Sequence, residues 1–115
     1  MKLSLETRNR GDVMIVHCHG RIVYRDEAAA LSRLAGEILE NTSKVVFDLS
    51  GVSSIDSAGI GMLMACSGLM EQKHGKLRIS GAQGGVARTF EVVHIGRVAA
   101  LDGDLDTACR ELAQD

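Results

Sequence analysis

Apolar and polar positions along this chain switch repeatedly between a period of two and a period near 3.6. Leu3-Ser4-Leu5-Glu6-Thr7 alternates, Asn9-Arg10-Gly11-Asp12 is a cluster of turn formers, and Val13-Met14-Ile15-Val16-His17-Cys18-His19 is apolar and β-branched. This order predicts a β-hairpin. From Asp26 onward, Leu31, Leu34, Ala35, Ile38 and Leu39 fall at i, i+3, i+4, i+7 and i+8. They form one apolar stripe on a helix that opens at Asp26-Glu27 and ends near Asn41.

Lys44-Val45-Val46-Phe47-Asp48-Leu49 is short and continuously apolar in its middle, the pattern of a central strand covered on both faces. Ser50-Gly51-Val52-Ser53-Ser54-Ile55-Asp56 reads as a polar loop. Ile60, Met62, Leu63, Met64, Ala65, Cys66, Leu69 and Met70 then give a helix apolar on most of its circumference, hence largely buried. Glu71-Gln72-Lys73-His74 ends it, with Gly75 suited to a left-handed cap. Lys76-Leu77-Arg78-Ile79-Ser80 alternates as a strand, and Gly81-Ala82-Gln83-Gly84-Gly85 leads to a helix with Val86, Ala87, Phe90 and Val93 on one side. Arg97-Val98-Ala99-Ala100-Leu101 is a last short strand. Asp102-Gly103-Asp104 caps a terminal helix whose inner stripe is Leu105, Ala108, Cys109 and Leu112.

The predicted order is β-β-α-β-α-β-α-β-α. Strands alternating with helices require βαβ crossovers, so the fold class is α/β: a mixed, mostly parallel sheet of four to five strands with about four helices. A chain of 115 residues with no linker or repeat is read as a single domain over residues 1–115.

Composition removes several function classes. A net charge of −2 with interspersed signs offers no basic stripe for a phosphate backbone, and one Tyr and two Phe offer little surface for stacking bases. No run approaches the roughly 18 apolar residues of a membrane span, and the N-terminus lacks a signal-peptide pattern. The expectation is a cytoplasmic protein with no nucleic-acid or membrane partner. Cys18, Cys66 and Cys109 are odd in number and widely spaced, so buried free thiols are expected rather than disulfides or a zinc site.

Chemistry concentrates in Asp48-Leu49-Ser50-Gly51-Val52-Ser53-Ser54-Ile55-Asp56-Ser57-Ala58-Gly59-Ile60-Gly61, a strand end and the start of a buried helix. A helix start carries unpaired N–H groups and partial positive charge, so it takes a side-chain cap or an anion. Asp56 and Ser57 are the candidates for the cap. Gly59 and Gly61 either ease packing of the helix on the sheet or open a flat docking platform. A hydroxyl of Ser57 facing solvent would be open to phosphorylation, which adds about −1.5 to −2 charges at the centre of a contact.

These residues and the element order resemble the STAS family. Val45-Val46-Phe47-Asp48-Leu49-Ser50-Gly51-Val52 followed by Ile55-Asp56-Ser57-Ala58-Gly59-Ile60-Gly61 is similar to its hallmark segment. In the family's bacterial anti-sigma factor antagonists, the serine after the aspartate in D-S-[SA]-G-[LI]-G is phosphorylated. The resemblance therefore implies a STAS fold, phosphorylation at Ser57, and a partner-binding surface of Asp56, Ser57, Ala58, Gly59, Ile60, Gly61 and Arg21. It implies as partners an anti-sigma factor serine kinase of GHKL type, bound when Ser57 is unmodified so that a sigma factor is released, and a PP2C-type phosphatase. It leaves room for a weak homodimer.

One departure stands out. Many antagonists continue the second strand as Gly-Glu-Leu-Asp, whereas this chain has Gly20-Arg21-Ile22-Val23. That change motivates an alternative, a non-switching structural STAS subunit of a stressosome or lipid-transport complex. An enzyme is not expected: Ser57 lies outside G-x-S-x-G, Gly81-Ala82-Gln83-Gly84-Gly85 lacks the Lys-Ser/Thr ending of a P-loop, and no cofactor motif is present. His17 and His19 share a strand face without a third ligand, so no metal site is assigned.

Overall fold

Alternation at the N-terminus produces the hairpin. In the computed structural model, which describes residues 3–22, 33, 36–97 and 99–113, β1 (Ser4–Arg10) pairs antiparallel with β2 (Val13–Ile22). Arg10 faces Val13, so the turn is Gly11 and Asp12 alone, and the strand includes Asn9 and Arg10, which the pattern assigned to the turn. Gly11 supplies the positive φ, 62°, that a two-residue hairpin turn requires.

Helix α1 is described at residues 33 and 36–39, with a turn at 40–41, and Leu39 is fully buried. Its predicted end near Asn41 agrees. Its predicted opening at Asp26-Glu27 and the stripe positions Leu31, Leu34 and Ala35 lie outside the described residues. There follow β3 (Lys44–Ile55), α2 (Ser57–Gln72), β4 (Lys76–Ser80), α3 (Gly84–Val92), a 3-10 turn (Ile95–Arg97), β5 (Ala100–Asp102) and α4 (Leu105–Ala113). The five strands lie in the order β1-β2-β3-β4-β5, parallel from β2 to β5. The fold is thus mixed α/β with one antiparallel edge, in the element order that the pattern predicts.

Burial on both faces explains the apolar centre of β3. Val45, Phe47 and Leu49 pack with Met62, Leu63, Cys66 and Met70 of α2 and Val86 and Phe90 of α3. Val46 turns to the other face, where Val13 and Ile15 meet Ala108, Cys109 and Leu112 of α4. Each such side chain withdrawn from water contributes roughly 1.5–3 kcal/mol. The three cysteines are free and buried. Burial pushes the Cys18 thiol up to about 12 and Cys66 up to about 11, which keeps both protonated and unreactive.

Further boundaries differ from the pattern. The predicted polar loop 50–56 is strand as far as Ile55, because β2 continues alongside it through Gly20, Arg21 and Ile22 and satisfies its backbone across two register shifts. The last strand begins at Ala100 rather than Arg97, since Ile95–Arg97 coils into the 3-10 turn. Val93 is the C-cap of α3 and stands 47% exposed instead of joining the inner side.

The left-handed cap of α2 falls on His74 (φ 60°), not on Gly75. The His74 N–H donates to the Glu71 carbonyl at 3.0 Å and the Gly75 N–H to the Met70 carbonyl at 2.8 Å, a complete Schellman closure. Gly75 is small for another reason: a Cβ there would lie 2.6 Å from Met70 Cε and 2.9 Å from the Ser43 carbonyl. A β-carbon in left-handed backbone costs about 1–2 kcal/mol. Part of any gain from glycine is lost to a freer unfolded chain, so His74→Gly is expected to stabilise the fold by about 0.5–1 kcal/mol, measured by urea unfolding; unchanged or lower stability would show that the imidazole holds the cap.

Candidate functional site

The start of α2 is built by two neighbours in sequence with different jobs. Asp56 is the N-cap, in extended backbone, and its Oδ1 accepts the Gly59 N–H at 3.0 Å. Its own carbonyl accepts the Ile60 N–H at 2.9 Å. With the cap filled by Asp56, Ser57 becomes the first helical residue and is exposed. Sequence left the cap open between Asp56 and Ser57; the structure assigns it to Asp56 and leaves Ser57 at the solvent-facing head of the helix.

Gly59 is buried. A Cβ at this position would lie 2.2 Å from the Ile22 carbonyl, 2.7 Å from Ile55 Cγ1 and 2.9 Å from Ile22 Cγ2. The close approach that Gly59 permits is therefore with its own strand β2. Gly61 is different: it is exposed, and a Cβ there would meet nothing within 4 Å. Of the two explanations for these glycines, packing on the sheet accounts for Gly59, while Gly61 stays on the open face with Ser57. Ala58 and Ile60 are half-buried.

Arg21 comes to the same place from β2. It is exposed and lies opposite Ser54, and Ile22 lies opposite Ile55. The Ile22 carbonyl accepts the Asp56 N–H at 3.4 Å and is the atom against which Gly59 packs. The end of β2, the end of β3 and the first turn of α2 thus converge at Ile22, with Asp56, Ser57, Gly59 and Gly61 on the helix and Arg21 one residue before Ile22 on the strand.

A polar group behind this segment was not singled out from sequence. Strand register places His17 beside Asp48, Asp48 beside Ser80, and Ser80 beside Asp102, on the sheet face that also carries Ile15 and Val46. His17 Nδ1 lies 2.8 Å from Asp48 Oδ2, and Asp48 Oδ1 accepts the Ser50 N–H at 3.1 Å. Gln83 Nε2 donates to the Ser50 carbonyl at 2.9 Å. Arg78 holds Asp102 with both Nε (2.6 Å) and Nη2 (3.1 Å). The available signal was a polar residue within an otherwise apolar buried strand, which must find a partner; which partner depends on register.

Burial by itself would push the Asp48 carboxyl up, but the Ser50 N–H and His17 outweigh it and hold it below the usual carboxylate value. Gly81, at φ 76°, leaves room for this contact, since a Cβ there would sit 3.0 Å from Asp48 Oδ1 and from the Ser50 N. His19 occupies the space above Gly51, whose Cβ would fall 2.3 Å from His19 Nδ1, and a register shift separates it from His17. No group of three His, Cys, Asp or Glu suited to a metal gathers among the described residues. No helix among them is long and apolar enough to cross a membrane. His74 lies beyond the far end of the 16-residue α2, about 24 Å from Ser57, and is too distant to act as a base on it.

The STAS domain profile matches residues 4–108. The chain belongs to the STAS domain family. An anti-sigma factor antagonist from Mycobacterium paratuberculosis is similar in structure over 97% of this chain and 95% of its own, with TM-score 0.88 and 19% identity. A putative antagonist from Thermotoga maritima matches 95% of this chain and 94% of its own, with TM-score 0.87 and 17% identity. The Bacillus cell fate determinant SpoIIAA, solved in its phosphorylated form, matches 94% of this chain and 97% of its own at TM-score 0.69 and 13% identity.

Two expectations follow from the geometry. Gly59→Ala should lower stability by about 1–3 kcal/mol because the methyl group meets a carbonyl, whereas Gly61→Ala, in open helix, should raise it by about 0.5–1 kcal/mol; equal effects in thermal unfolding would contradict the inward assignment of Gly59. Asp48→Asn should lower stability at neutral pH. Because the folded-state pKa of Asp48 is depressed, its contribution is present above the ordinary carboxylate value and is lost as pH falls through the depressed one. Denaturant titrations over an acid series should show wild type and variant converging at low pH, and a constant gap would contradict the pairing.

Proposed function

We propose that this chain is an anti-sigma factor antagonist, a partner-switching protein controlled by phosphorylation of Ser57. The observation that carries the reading is the division of labour at α2: Asp56 fills the cap, so the Ser57 residue is exposed at the positive end of a helix. Such a hydroxyl is reachable by a kinase, and the helix N-terminus tolerates the dianion once it is made. A partner surface closing over it does not, because the new charge must be desolvated next to the Asp56 carboxylate. The solved antagonists with this fold, one of them in a phosphorylated form, support the same reading.

In this account the chain is a substrate and performs no catalysis. Its partners are a GHKL-type anti-sigma factor serine kinase, which binds the unmodified domain and releases a sigma factor, and a PP2C-type phosphatase that removes the phosphate. Residues Asp56 to Gly61 and Arg21 form the contact, with Gly59 contributing through the packing of the turn. The setting is cytoplasmic transcription control.

Arg21 favours one second reading, a non-switching subunit of a stressosome or lipid-transport assembly, because a cation occupies the strand end where many antagonists have an acidic residue. Incubation with the anti-sigma kinase of the same genome, followed by mapping of the phosphopeptide, separates the two. The expected result is modification of Ser57 and none in Ser57→Ala, with Ser57→Ala still binding the kinase. Phosphate at another residue, or a stable large assembly indifferent to Ser57→Asp in native mass measurements, would count against the switch.

A further inference from the structure

Among the described residues, no strand pairs with the outer edge of β1. Its inner edge pairs with β2 over all seven residues without a register shift, and it is the terminal strand of the sheet. The opposite edge, β5, has three residues. Natural sheets blunt a long edge with proline, a bulge or charged side chains. β1 has no proline or bulge, and its charges Glu6, Arg8 and Arg10 bar strands that do not match them while leaving its outward N–H and C=O groups as a regular template for one that does.

Charge selects that strand. Glu6, Arg8 and Arg10 point to one face and are exposed. Arg10 is engaged with Asp106 at 2.8 Å, while Glu6 and Arg8 enter no ion pair among the described residues. When a second copy of β1 is laid antiparallel, the register centred on Thr7 sets Glu6 opposite Arg8 of the other copy, twice by symmetry. Shifting the centre to Glu6 opposes two glutamates, and shifting it to Arg8 opposes two arginines. Only the Thr7 register satisfies both charges, and a two-fold seam of this kind closes on itself. On the other face, Thr7 meets Thr7 and Leu5 meets Asn9.

We infer that β1 is the homodimer seam of this protein, joining two five-stranded sheets into one ten-stranded sheet through an antiparallel β1 pair centred on Thr7. The occupant is a second copy of the chain, because the strand is electrostatically complementary to itself. The seam lies at the sheet edge and uses no residue of the Ser57 segment, so it stands independently of the partner-switching account.

Sedimentation equilibrium of the full chain at rising concentration tests it, with Glu6→Arg, Arg8→Glu and the double exchange. Wild type is expected to dimerise, more weakly as salt is added. Each single exchange replaces two attractive pairs with two repulsive ones and should weaken association by about tenfold or more. The double exchange should restore the dimer. Circular dichroism of the single variants verifies their fold, and recovery in the double variant does so again. A wild type that stays monomeric, a dimer insensitive to both single exchanges, or a double variant as weak as the singles would overturn the seam.

Discussion

Everything at the head of α2 follows from one hydrogen bond, the acceptance of the Gly59 N–H by the Asp56 carboxylate. A helix start left uncapped would draw in the nearest hydroxyl, and Ser57 would turn its oxygen inward. Because Asp56 takes that role, Ser57 is the first helical residue and is exposed. The same bond puts a carboxylate beside any phosphate added there. In the proposed switch, the cap both presents the hydroxyl and opposes closure of an interface over its phosphorylated form.

The cap holds its position because the strands beneath it are long. β3 reaches Ile55 and β2 reaches Ile22, well past the ends of β4 at Ser80 and β5 at Asp102. The Ile22 carbonyl receives the Asp56 N–H and abuts Gly59, beside the side chains of Ile22 and Ile55, so the first turn is seated directly on the strand ends. Farther back, the carboxylate of Asp48 links His17 of β2 to Ser50, and Ser50 in turn accepts from Gln83 at the head of α3. This polar chain ties β2, β3 and α3 together beneath the extended strand ends. It is a firm base, suited to a switch in which the added charge acts locally without refolding.

Much of this was legible in the sequence because the deciding features were local. The apolar run Val45 to Leu49 and the Asp104 cap of α4, whose Oδ1 accepts the Thr107 N–H at 2.8 Å, are each set by residues within a few positions of one another. Ser57 stood out for the same reason, as did Asp56. By contrast α2, read as apolar around most of its circumference and largely buried, buries only the side of Gly59, Met62, Leu63, Cys66 and Met70 and leaves Ala65 and Leu69 exposed. What was missed depends on distant pairing. Residues 50–55 are polar and read as loop, and only the continuation of β2 beside them makes them strand. The partnership of His17 with Asp48 is a consequence of register. Gly59 and Gly61 are two positions apart and look alike in the sequence, yet one meets a carbonyl and the other meets solvent. His74 outdid Gly75 as the left-handed residue because Gly75 was needed where Met70 and Ser43 crowd the chain.

The central claim is that a phosphate at the capped end of α2 converts an attractive surface into a repulsive one. Calorimetric titration of the cognate anti-sigma kinase with this protein, once unmodified and once stoichiometrically phosphorylated on Ser57, measures that directly. The account predicts a loss of affinity of at least about a hundredfold, the scale expected when an added charge must be desolvated beside the Asp56 carboxylate. Equal affinity for the two forms would contradict it.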